Sequence, residues 1–120
     1  MKKSAALAAL GALAQESRLD VFRLLVRAGD EGLPAGGIAE ALGLAPPTLS
    51  FHLKELRQAG LVRVAREGRS LRYAPDFTAM RRLVAYLTEQ CCQGVAASAA
   101  PPSGSTRAPE RRNPCASSSP

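Results

Sequence analysis

Two consecutive prolines, Pro46 and Pro47, stand just after Gly43 and just before Leu49, Leu53 and Leu56. Proline has no amide hydrogen and a φ fixed near about −65°, so the pair fits only the first turn of a helix, where amide hydrogens have no intrahelical partner. The helix that follows buries Leu49, Leu53 and Leu56 on one face and is ended by Gly60. Upstream, Ile38, Ala41 and Leu42 mark a short helix closed by Gly43. So little chain separates the two helices that they must meet across a tight turn.

The rest of the chain can be read around that pair. Residues 5 to 14 form a first helix with Leu7, Leu10 and Leu13 at helical spacing, an amphipathic stripe suited to packing on a partner. Ser17 reads as the cap of a second helix, with Asp20 as capping-box partner and a stripe of Leu19, Phe22, Leu25 and Val26. Residues 28 to 32 form a break rich in turn formers. Leu61 to Ala65 and Leu71 to Ala74 read as strands joined through Arg66-Glu67-Gly68-Arg69-Ser70, a β-hairpin with a basic tip. Asp76 caps a last helix whose stripe runs Met80, Leu83, Val84, Leu87 and Cys91 and which ends near Gly94. Residues 1 to 95 thus make one domain. Residues 96 to 120 are rich in Ala, Pro and Ser, bury too little surface to fold, and are expected to be a disordered tail. The chain is mainly α with a small β-hairpin, the order of elements of a winged helix-turn-helix.

Charge points to the partner. Lys and Arg outnumber Asp and Glu by 16 to 10, and the excess is concentrated from Lys54 to Arg72, where Lys54, Arg57, Arg63, Arg66, Arg69 and Arg72 face only Glu55 and Glu67. A helix presented after a tight turn fits the major groove of B-DNA, about 12 Å wide. With its leucines inward, the helix opened by Pro46 offers Thr48, Ser50, Phe51, His52, Lys54 and Arg57 to bases and phosphates. Arg66 and Arg69 at the hairpin tip would reach the flanking minor groove or backbone. The expected partner is double-stranded operator DNA, bound without any cofactor.

Other classes fit poorly. No apolar run is long enough to cross a bilayer, so no membrane association is expected. Lys2 and Lys3 before an Ala/Leu stretch resemble a secretory signal, but the leucine spacing suits an amphipathic helix equally, and a DNA-binding role requires the cytoplasm. One histidine, no glycine-rich phosphate loop and no clustered carboxylates leave no catalytic constellation, so the chain is not expected to be an enzyme. Cys91, Cys92 and Cys115 are odd in number and form no disulfide framework. Cys91 also continues the apolar stripe of the last helix, as a small buried hydrophobe would.

Three stretches carry a family likeness: Leu13-Ala14-Gln15-Glu16-Ser17-Arg18-Leu19, Ile38-Ala39-Glu40-Ala41-Leu42-Gly43-Leu44, and Thr48 to Leu56 running into Ala59-Gly60-Leu61-Val62. With Arg66 to Arg69 and Tyr73 they resemble the ArsR/SmtB family of metal-responsive repressors, over about residues 8 to 95. The resemblance implies a homodimer built from the first and last helices, released from its operator by a metal ion. Residues 33 to 38 lack the Cys-x-Cys of one subgroup, and the last helix has no His for the zinc-sensing subgroup. Glu89-Gln90-Cys91-Cys92-Gln93-Gly94 resembles the cysteine pair of arsenic sensors, which implies As(III) or Sb(III) as inducer. Those sensors carry a third cysteine near the position of Ser98; here only Cys115, far along the tail, is on offer. Adjacent helical residues point about 100° apart, so both sulfurs reach one ion only if the helix frays there. A thiol redox sensor pairing Cys91 or Cys92 with Cys115 is the alternative.

Overall fold

The computed structural model describes residues 1 to 95. The tail expected beyond residue 95, with Cys115, lies outside the described residues. The elements run α1 (Lys3–Leu13), α2 (Glu16–Ala28), β1 (Leu33–Pro34), α3 (Ala35–Leu42), α4 (Pro46–Gln58), β2 (Val62–Glu67), β3 (Ser70–Pro75) and α5 (Phe77–Thr88). Met1–Leu87 form one compact unit, and the described residues from Thr88 to Val95 belong to a second.

The core of the first unit gathers Val21, Phe22 and Leu25 from α2, Ile38 from α3, Leu49, Leu53 and Leu56 from α4, Leu61 and Val62 at the start of the hairpin, and Leu83 from α5. The cap of α2 differs from the expectation: Gln15, not Ser17, holds the free amide end, its Oε1 accepting from Arg18 N–H at 2.8 Å. The buried face turns accordingly. Val21 is fully buried, whereas Leu19 is left outside the core at 41% exposure. In α1 the small residues Ala6 and Ala9 go inward, while Leu7 and Leu10 stand exposed.

The sheet has three strands in the order β1-β3-β2, all antiparallel. The expected hairpin is present but tighter, because Arg66 pairs with Leu71 and Glu67 with Ser70, leaving Gly68-Arg69 as a two-residue turn with Gly68 at φ +65°. The sequence reading missed β1, a two-residue strand in which Leu33 pairs with Tyr73 and Pro34 with Arg72. As expected, Asp76 caps α5, accepting from Ala79 N–H at 3.0 Å. The helix is shorter than its stripe implied. It stops at Thr88, so Cys91 is an exposed residue of the following turn and not a buried helical hydrophobe.

Candidate nucleic-acid interface

Gly43 ends α3 in the left-handed conformation, φ +67° and ψ +33°, which a side-chain-bearing residue adopts only at a cost. The amide of Leu44 reaches back to the carbonyl of Ala39 at 3.0 Å, and Ala45 is extended, so the chain reverses within three residues. Pro46 and Pro47 then occupy the first turn of α4. Leu49, Leu53 and Leu56 anchor α4 in the core. Pro46, Thr48, Ser50, Phe51, Lys54 and Arg57 are exposed along its outer side.

His52 departs from the expectation. It is buried, at 6% exposure, on the inner side of α4 beside Arg18, so it does not share the outer face with Ser50. The reason is spacing: position 52 lies three residues after Leu49, on the inward stripe. Burial first, and then the Arg18 charge, push its pKa below the ordinary value of 6.5.

The basic segment divides by role. Arg66 and Arg69 are exposed at the hairpin tip. Arg72 instead turns back on the molecule, donating from Nε to the Glu31 carbonyl and from Nη2 to the Gly32 carbonyl, both at 2.9 Å, with Glu67 at 3.6 Å. Arg63 pairs with Asp30 at 3.3 Å, an exposed contact of little energetic weight. Arg63 also lines, with Lys54 and Arg57, an open concavity between the end of α4 and β2. Such a basic hollow suits a phosphate, and it adds Arg63, otherwise only one charge of the basic segment, to the candidate DNA contacts.

The cysteine pair belongs to the second unit. Gln90 and Cys92 have positive φ, +60° and +67°, which is uncommon for residues other than glycine. The Cys91 amide donates to the Thr88 carbonyl at 3.0 Å. This turn brings the Cys91 and Cys92 sulfur atoms to 2.8 Å. The helix has therefore ended before both cysteines. Among the described residues, no group of three or more His, Cys, Asp or Glu side chains is placed to hold a metal ion.

A helix-turn-helix domain model matches residues 13–65. The transcriptional activator HlyU of Vibrio cholerae is 33% identical over 95 residues, which cover 78% of this chain and 85% of HlyU. The chain belongs to the ArsR family. It is a DNA-binding transcriptional regulator of the ArsR/HlyU type, and its relatives are regulators, not enzymes. The HTH-type transcriptional regulator YceK of Bacillus subtilis is 39% identical over 59 residues, and the chain spans only 58% of its length. Among solved structures, the homodimeric winged helix-turn-helix domain of Mb0332 from Mycobacterium bovis is 28% identical with a TM-score of 0.59, covering 70% of this chain and 76% of that one. The antimony-specific repressor AntR is 30% identical with a TM-score of 0.54, covering 68% and 72%. Reduced HlyU from Vibrio cholerae is 31% identical with a TM-score of 0.54, covering 70% and 88%. Among the described residues, no helix of this ArsR-family regulator is long and apolar enough to cross a membrane.

Proposed function

We propose that this regulator is a homodimeric repressor that leaves its operator when As(III) or Sb(III) binds Cys91 and Cys92. The observation that carries this reading is that both cysteines stand side by side on an exposed, strained turn beyond α5, in a chain similar to the antimony-specific repressor AntR. Thiolates are soft donors suited to such ions, and two adjacent sulfurs suffice for a chelate. Cys115 is the candidate third donor. The helix α4 and the hairpin read the operator, with Thr48, Ser50 and Phe51 towards base edges and Pro46, Lys54, Arg57, Arg66 and Arg69 along the backbone or flanking groove. The second subunit covers the exposed Leu7 and Leu10 of α1 and Leu87 of α5. Similarity to AntR and to the homodimeric Mb0332 domain supports both parts of the reading.

An inducer shifts a binding equilibrium only through unequal affinity for the two states, so sensing and DNA affinity are separable. In gel-shift assays on the DNA upstream of its gene, Cys91→Ser and Cys92→Ser should each keep wild-type affinity and lose release by As(III). Wild-type release by both variants would remove the inducer assignment. In the same assay, Cys115→Ser distinguishes a third ligand, which raises the As(III) needed, from a bystander, which leaves it unchanged. The likeness to reduced HlyU also favours a redox reading, in which peroxide takes two electrons and two protons from a Cys115 pair with Cys91 or Cys92 and becomes two waters. Release by peroxide in place of As(III) would select it.

A further inference from the structure

One side chain touches α1, α2 and α4 together. Arg18, in the first turn of α2, donates from Nε to the carbonyl oxygen of Ala12 in the last turn of α1, at 2.8 Å. Its Nη1 lies 3.5 Å from Nδ1 of His52, and its guanidinium carbon is 6.0 Å from the centre of the Phe51 ring. The Phe51 and His52 rings are themselves 5.8 Å apart and tilted by 60°. His52 is the one buried polar side chain among the described residues, while Phe51, its neighbour, is 53% exposed on the outer side of α4.

The chemistry of the contact is constrained. A guanidinium only donates and keeps its charge, so the His52 nitrogen facing it must carry a lone pair, which places the proton on Nε2 of a neutral ring. At 3.5 Å this contact is at the outer limit of a hydrogen bond and acts mainly as charge on dipole, whereas the bond to Ala12 is well formed. Arg18 from α2 is the charged group on His52, and Glu55 of α4 lines the same groove as Arg18. From α1 that groove receives Leu7, Ala8, Gly11 and Ala12, none of them ionisable.

We infer that Arg18 is a positioning residue for DNA reading: by tying Ala12 to His52 and Phe51 it sets the rotation of α4 against α1, and so where Ser50 and Phe51 meet the bases. This rests on the reading of α4 as the helix that enters the groove. Arg18 itself need touch no DNA. A lysine cannot replace it, because one ammonium lacks the planar fork that reaches the carbonyl and the ring at once.

The test compares two duplexes of equal length by fluorescence anisotropy with the full chain: one enriched from a random pool by the wild-type protein, and one of random sequence. Arg18→Ala and Arg18→Lys should each weaken the enriched duplex about tenfold and the random duplex less than about twofold, since base contacts depend on geometry and phosphate attraction does not. Partial unfolding lowers both affinities together, so a lower thermal midpoint with an unchanged ratio overturns the positioning role. The second measurement is the pH profile. The folded-state pKa of His52 lies below 6.5, so the neutral contact is complete above 6.5 and is lost as pH falls further, through that lowered value. The wild-type affinity ratio should decline over that range, and His52→Asn, which keeps an acceptor near Nδ1 but does not titrate, should abolish the decline. A flat wild-type profile overturns the link through His52. If Ser50→Ala moves the ratio and Arg18→Ala does not, the positioning role alone fails. If neither moves it, the reading of α4 fails and carries the positioning role with it.

Discussion

The reading helix and the wing are held by different forces. Beneath α4 lie Leu49, His52, Leu53 and Leu56, all buried, so any shift of the helix opens space in the core. The hairpin from Ala65 to Leu71 has every residue exposed. It is kept together by its ladder with β3 and fastened at its base by Arg72 on the carbonyls of Glu31 and Gly32. Close packing resists displacement in every direction, whereas a two-stranded tip with no buried face resists bending weakly. The pairing teaches a division of labour. Contacts that depend on geometry belong on the helix, and contacts that depend on charge belong on the wing.

A substitution in the packed side should cost most. Leu56 is fully buried, and Leu56→Ala should destabilise the fold by about 2–5 kcal/mol, read from chemical denaturation. A loss under about 1 kcal/mol would mean that the core yields around α4 and that burial does not set its position. A smaller effect probes the wing at root and tip. At Gly32, φ is +72° and an added Cβ would lie 2.5 Å from the Tyr73 carbonyl oxygen in the partner strand. At Gly68, φ is +65° and nothing lies within 4 Å. Gly32→Ala should therefore cost about 2–3 kcal/mol, combining left-handed strain with a backbone clash, and Gly68→Ala about 1 kcal/mol from strain alone. Equal midpoints for the two variants would show that the root is no tighter than the tip.

The same contrast governs what could be read in the sequence. Gly43, Pro46-Pro47 and the leucine spacing act within a few residues, and they place the turn and α4 where the structure has them. The cap by Asp76 is equally local. The strand Leu33–Pro34 was not legible, because two residues have no period and their pairing with Tyr73 and Arg72 spans some forty positions. Leu19 reads as inward because a leucine signals core more strongly than the valine two positions on, and the cap by Gln15 that starts the helix earlier carries no strong signature. His52 could have been found. Its place three residues after Leu49 puts it on the inward stripe, and only its polarity argued for the outside. For the pair Cys91-Cys92 the sequence named the residues but not their setting, since Glu89 and Gln90 bring no apolar side chain to hold another turn of α5.

The exposed tip of the wing should tolerate substitution best. Arg69 stands at the two-residue turn of the hairpin, exposed and remote from the core, so Arg69→Ala should change stability by less than about 0.5 kcal/mol. Its effect on DNA should have a different signature from that of Ser50 or Phe51, the α4 residues placed towards base edges. A phosphate contact releases a bound counterion whatever the base sequence, so the variant should weaken enriched and random duplexes alike. The slope of log affinity against log salt should flatten by about one for each phosphate no longer neutralised. Titrations at several salt concentrations measure that slope directly. An unchanged slope would take the wing off the DNA. A loss confined to the enriched duplex would mean that the wing reads bases, and would end the division between a helix placed by packing and a hairpin that contributes charge.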